Sequence, residues 1–202
     1  AEQDAAVTLR LWHHLRKEIT ANNLLNIFEL ETDLFPVLFD MKQKGVRVDL
    51  DKAEKIKNDL WNQEKKLRKE IQKLSGHFVE VWSAASVAKA FDALKIKYDR
   101  TPTGQPKFDK NFLSTHDSPL AKMVVNEREI NKARTTFIDT IVKHSHRGRI
   151  HAEIHQMRSD DGGTVTGRFS YSNPNLQQIP ARHAILGPLI RSIFIPEKDH
   201  EW

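Results

Sequence analysis

There is no cysteine among the 202 residues. A disulfide framework and a thiolate-held zinc centre are both excluded. No apolar run approaches the roughly 20 residues that span a bilayer, and no secretory leader pattern opens the chain. Internal repeats and low-complexity tracts are missing too. A soluble cytoplasmic protein is the expectation, and Ala1 at the front leads us to expect a native start further upstream. Acid is in the minority: 27 Asp and Glu stand against 32 Lys and Arg, a formal charge of +5. That balance favours an anionic partner such as nucleic acid.

Periodicity divides the chain into a helical front and a β-containing back. Residues 4–22 carry Leu9, Leu11, Trp12 and Leu15 at mixed three- and four-residue spacing, a helix that Asn22 and Asn23 bring to a junction. A second helix is predicted over residues 32–44, with Leu34, Leu38 and Met41 as its buried stripe and Gly45 as its stop. Residues 46–49 alternate like a short strand. Asp51 and Glu54 have capping-box spacing and open a long helix. Its seam is Ala53, Ile56, Leu60, Leu67, Ile71 and Leu74, and Gly76 ends it. The seam lapses at Gln63 and Glu64, and the remainder is dense in Lys and Glu, so this helix is expected to be largely solvated and to project. A short helix over residues 82–94 is capped by Ser83, residues 101–106 are a turn cluster, and Ser118-Pro119 starts a helix running to residue 143. From residue 148 the period becomes two: Ile150, Ala152 and Ile154 face one way, His151, Glu153 and His155 the other. Asp161-Gly162-Gly163 is a turn signal, residues 188–194 a short helix or turn, and residues 197–201 a hairpin loop leading to Trp202. The fold class is α+β, an α-rich projection on a β-containing base.

Residues 166–180 read TGRFSYSNPNLQQIP. Arg168 can fork two donors toward an acceptor edge. Asn175 and Gln177 each carry a donor and an acceptor, which suits the acceptor row of a minor groove. Pro174 and Pro180 are expected to hold the run extended. The stretch closely resembles the T-G-R-x-S-S-x-(D/N)-P-N-L-Q-N-I-P signature of family A DNA polymerases, the bacterial DNA polymerase I type. The resemblance covers nearly the whole chain. It implies the front portion of a template-directed polymerase that grips primer-template DNA, with long thumb helices followed by an incomplete antiparallel palm sheet. Residues 1–30 would close a proofreading exonuclease domain, residues 31–146 would be the thumb with its supporting helices, and residues 147–202 the first part of the palm. The run at residues 157–163 is longer than its bacterial equivalent and points to a phage-like branch, hence to the cytoplasm of a bacterial cell or phage-infected host.

Other segments extend the likeness. On the wheel of the 118–143 helix, Met123, Ile130, Phe137 and Ile141 share one face, with Arg128 and Lys132 nearly opposite. Such a pair is either a solvated face or a phosphate-facing one. NEREINKARTTF resembles the family's E-Y-R-G-L-A-K-L-K-S-T-Y helix, which implies that Arg128 and Lys132 touch the duplex; Arg134 and Thr136 match its second Lys and following Thr. The start of the 82–94 helix loosely resembles a thumb element, which implies phosphate contacts from Ser83 and Ser86; simple capping is the alternative for Ser83. Residues 148–156 are similar to the family's G-R-(I/V)-H-x-x-x-x-Q strand, so His155 and Gln156 are expected to line the DNA side. His151 and His155 cannot share a metal on a strand: four residues span about 13 Å, while ligand bonds are near 2 Å. Asp4 matches a metal-binding Asp of the exonuclease, but its partner carboxylates are absent, so no two-metal site can form there.

No catalytic residue for polymerisation is expected in this chain. Residues 191–197 match the family's R-x-x-F-I-x-(P/A)-E segment and Trp202 a Trp that begins the next strand, yet the D-Y-S-Q-x-E-x-R motif, the fingers helix and the second catalytic Asp are not present. Mg2+ belongs to the complete polymerase, and none is expected on this chain alone. The expected partners are primer-template DNA and a second polypeptide or further portion carrying the rest of palm and fingers, as a split, intein-interrupted or truncated gene would leave it. The alternative is a non-catalytic DNA-binding or assembly module derived from a polymerase.

Overall fold

The computed structural model describes residues 2–160 and 162–201. Ala1, Asp161 and Trp202, each used in the sequence reading, lie outside the described residues. The chain divides into two compact units, residues 1–45 with 151–177 and residues 46–150 with 178–202.

The first unit begins with α1 (Glu2–Ala21) and α2 (Leu25–Lys44). The junction expected at Asn22-Asn23 is there, and Asn23 takes a positive φ of 55°. α2 starts seven residues before the predicted Thr32 and runs through Pro36. Leu38 is buried, but Met41 of the predicted stripe is exposed. The unit is completed by β6 (Glu153–His155) paired antiparallel with β7 (Ser170–Ser172), in register Ile154 to Tyr171. A 3-10 turn, Leu176–Gln178, follows between the two prolines, so the signature run is not extended there as expected.

The second unit is built on β1 (Val46–Arg47), α3 (Leu50–Ser75), α4 (Ala84–Ala93), the hairpin β2 (Asp99–Arg100) and β3 (Pro106–Lys107), α5 (Lys110–Thr115) and α6 (Pro119–Lys132). Capping fixes four helix starts: Asp49, Ser83, Asp109 and Ser118 accept from the N–H groups of Lys52, Ser86, Phe112 and Leu120. The cap of α3 is therefore Asp49, two residues ahead of the predicted Asp51 box. Gly76 ends α3 in the left-handed conformation, as expected. Phe91 is fully buried and anchors the core, its ring 4.8 Å from that of Phe108, with Val87, Leu113, Leu120 and Val124 around it. Burial on this scale stabilises by about 1.5–3 kcal/mol per large side chain.

The predicted helix to residue 143 is present but not uniform. α6 passes into a π-helical segment, Ala133–Ile138, before α7 (Asp139–Lys143). The Asp139 N–H reaches back five residues to the Arg134 carbonyl. Two strands follow, β4 (Ser145–His146) and β5 (Arg149–Ile150), in a sheet of order β1-β5-β4. The predicted period-two strand is thus two short strands in different sheets, β5 and β6. Its first half is held by β1 and its second by β7. After α8 (Leu186–Arg191), the segment to Pro196 runs along the other edge of β1: Asp49 N donates to Ile193 O, Ile195 N to Arg47 O, and the Arg47 side chain to Pro196 O at 2.8 Å. That edge of β1 is occupied among the described residues. The α+β class stands, with helices and, among the described residues, three small antiparallel sheets. Among the described residues, no helix is long and apolar enough to cross a membrane.

Candidate nucleic-acid interface

The expected site residues fall into two groups, one in each unit. In the first unit, His155, the last residue of β6, and Gln156, which follows it, line a groove of about 740 Å³ with Phe35, Phe39 and Lys42 of α2, Ser172 at the end of β7 and Asn173 beyond it. His155 Nε2 lies 2.7 Å from Ser172 Oγ, and the Ser172 hydroxyl donates to Glu153 Oε2 at 3.0 Å. Asn173 Nδ2 donates to the same oxygen. These hydrogen bonds, Asn173 first and Ser172 next, hold the Glu153 carboxyl below its ordinary value. Gln156 is less available than expected: its Nε2 donates to both the backbone oxygen and Oε2 of Glu31. His151 contacts the Lys42 carbonyl.

The signature residues follow on an exposed loop. Arg168, Asn175 and Gln177 are all exposed. Asn175 Oδ1 accepts from the Gln177 N–H, an Asx turn that leaves the Asn175 amide to donate. Gln177 Nε2 donates to Phe169 O, which leaves its carbonyl to accept. The three side chains therefore offer two donor groups and one acceptor. Donors suit the N3 and O2 positions of any base pair in a minor groove, and the acceptor suits the guanine amino group.

In the second unit, Ser83 Oγ accepts from the Ser86 N–H and Ser86 Oγ from the Glu80 N–H. Both hydroxyl protons stay available to donate to a phosphate. Lys132 is exposed, its Nζ 6.0 Å from the Phe137 ring centre. Arg128 differs from it. Its Nε and Nη1 donate to Val81 O at 2.7 Å and Phe108 O at 2.8 Å, its guanidinium stacks over Trp82 at 5.4 Å, and burial lowers its basicity. The solvated-face reading fails for Arg128, because the helix turns this position toward the α4 side, where two backbone carbonyls need donors. Trp82, Lys110, Arg128 and Lys132 share the lining of a pocket of about 330 Å³.

The sequence reading missed what lies between α3 and α6. Glu64 and Glu127 are both 0 % exposed. Arg68 bridges them, with Nη2 2.6 Å from Glu64 Oε1 and Nε 2.7 Å from Glu127 Oε1. Arg134 Nε reaches Glu64 Oε2 at 3.0 Å, and Asn131 Nδ2 donates to Glu64 Oε1. Trp61 covers the guanidinium of Arg134 at 4.7 Å. Burial pushes the Glu127 carboxyl up, against the opposing pull of Arg68. α3 is therefore packed along α6 through a polar seam, not projected into solvent. The lapse at Gln63-Glu64 was the available signal, together with the four-residue spacing of Glu64 and Arg68.

Among the described residues, no cluster of three or more His, Cys, Asp or Glu could hold a metal ion. Asp4 sits on the exposed first turn of α1. The described residues do not fit a catalytic magnesium pair.

The family model described as "DNA polymerase family A" matches residues 50–202. The chain is 32% identical over its whole length to the "DNA-directed DNA polymerase" of Pseudomonas phage M6, of which it covers 32%. It is 34% identical over 98% of its length to "DNA polymerase DpoZ" of Vibrio phage phiVC8, covering 33% of that protein, and 29% identical over its whole length to DNA polymerase I of Treponema pallidum, covering 20%. The chain thus spans about a third of these phage relatives. It is also similar to the solved POL domain of Pol1 from M. smegmatis, in complex with DNA primer-template and dNTP, with a TM-score of 0.69 at 26% identity over 82% of this chain and 29% of that one.

Proposed function

Because the chain belongs to DNA polymerase family A, we propose that it is the duplex-gripping front portion of a template-directed DNA polymerase. The observation that carries this reading is the signature loop, which keeps Arg168, Asn175 and Gln177 exposed with complementary donors and an acceptor outward. In this reading residues 1–30 close a proofreading domain, residues 31–146 form the thumb and residues 147–202 open the palm. Ser83, Ser86 and Lys132 contact phosphates, Arg128 shapes the surface beside them, and His155 and Gln156 line the DNA side. Nucleotidyl transfer, with its Mg2+, is assigned to the two thirds of such a polymerase that this chain does not match, supplied in the same protein or by a second polypeptide.

Fluorescence anisotropy on a primed duplex tests the grip. Affinity should fall steeply with salt and show no sequence preference, since the contacts are mainly cation to phosphate. Lys132→Ala should lower the salt slope by about one unit. Binding that does not vary with salt would sink the reading. The chain alone, freed of host polymerase, should add no nucleotide to a primer with magnesium present; incorporation would overturn the division of labour.

A further inference from the structure

We propose, resting on the duplex-binding reading above, that Glu64 and Asn131 are positioning residues: they hold the helical turn carrying Lys132 in register with the turn that presents Ser83. The connection is a single line of hydrogen bonds. Glu64, without exposed surface, accepts from Arg68, Arg134 and Asn131. Asn131 Nδ2 donates to Glu64 Oε1 at 3.0 Å, and its Oδ1 accepts from the indole N–H of Trp82 at 3.0 Å. Asn131 immediately precedes Lys132, and Trp82 immediately precedes the cap Ser83.

The amide makes the line directional. Only with its NH2 turned to the carboxylate does Asn131 show its oxygen to the indole. Glu64 thereby sets the orientation of a side chain two contacts away from its own helix. Hydrophobic burial does not explain where Trp82 sits, because the residue is 54% exposed. What holds it is the bond to Asn131 and the Arg128 guanidinium over its ring. Arg128 in turn is tied to Val81 O, one residue before Trp82. Trp82 and Lys132 line the same pocket, so the line joins the two sides of one surface. A buried ionic cluster is a weak source of net stability, and its better-attested use is to fix register.

The test is a double-mutant cycle on the 202-residue chain, read by anisotropy on a primed duplex and by thermal melting. Trp82→Phe keeps an aromatic ring and removes the indole N–H together with the fused five-membered ring. Loss of one oriented hydrogen bond should weaken duplex binding about fivefold. The salt slope should not change, since no phosphate contact is removed, and neither should the melting temperature. Glu64→Gln should weaken binding similarly, and adding Trp82→Phe to it should cost nothing more. If Glu64→Gln does not fold, Asn131→Ala takes its place in the cycle. Parent-like binding by Trp82→Phe would overturn the inference while leaving salt-dependent binding by the parent intact. Fully additive losses would also overturn it, since they would make the residues independent. A parent chain that binds no duplex would overturn both this inference and the reading beneath it.

Discussion

Phe91 and Phe35 are the same side chain on two helices of one protein. Phe91, in α4, is 0 % exposed and packed among Phe108, Phe112 and Tyr98; Phe35, in α2, is 63% exposed with Phe39 as its ring neighbour. The contrast extends to the units that hold them. Among the described residues, the buried apolar side chains of the first unit are Leu38, Ala152 and Pro174, while the second unit has a contiguous core. The first unit stands instead on directional bonds: Gln156 to Glu31, His151 to the Lys42 carbonyl, and the Glu153–Ser172–Asn173 group. A region held by polar bonds at an accessible surface opens more readily than one held by a core. The exposed signature loop, which belongs to the first unit, thus sits in the less cohesive part of the molecule.

Four measurements would sharpen or break this comparison. Phe91→Ala should have the largest effect, about 3–5 kcal/mol by urea unfolding; a loss under about 1 kcal/mol would mean that the second unit does not depend on its core. Gly163→Ala should come next. Gly163 has φ +92°, and a Cβ there would meet Met157 O at 2.0 Å. The cost should exceed about 1 kcal/mol and appear as lost hydrogen-exchange protection in β6 and β7, with α3 and α6 unaffected. Acid should separate the units at two carboxyls. Glu153 has a lowered folded value, so its contribution is present above the ordinary carboxyl range and is lost as pH falls through that lowered value. Glu127 has a raised folded value, so its contribution is present below the ordinary range and is lost as pH rises through the raised one. Carboxyl titration by NMR should place the Glu153 midpoint below that of Glu127; the reverse order would refute the assigned surroundings. Phe35→Ser should do least, within about 0.5 kcal/mol of the parent, and a larger loss would show that the first unit leans on α2 as a core element.

Much of this was legible in the residues. The α+β class, the caps at Ser83 and Ser118 and the stop at Gly76 follow from short-range chemistry, which a sequence displays directly. What stayed hidden depended on long-range partners. Gln63-Glu64 interrupts an apolar seam, and without Arg134 and Asn131, some 70 residues away, the interruption reads as solvent exposure. Arg128 looked like a free cation because the carbonyls of Val81 and Phe108 that claim it are distant in sequence. Alternation from residue 148 to 156 was real, but nothing local says where one sheet hands the chain to another. His155 and Gln156 were read as lining the DNA side, and their partners Ser172 and Glu31 were not visible from spacing.

The π-helical segment at Ala133–Ile138 resets the phase of the helix it interrupts. One surplus residue amounts to a rotation of about 100° in a 3.6-residue helix. Residues ahead of it and residues behind it answer to two different wheels, so Ala133 and Ile138, five apart, both turn inward. Here chain length itself carries information. Deleting a single residue between Ala133 and Ile138 would leave Glu127 against Arg68 but swing Asp139, now 2.8 Å from Lys57, more than a quarter turn away. No change of side chain at that place could do the same.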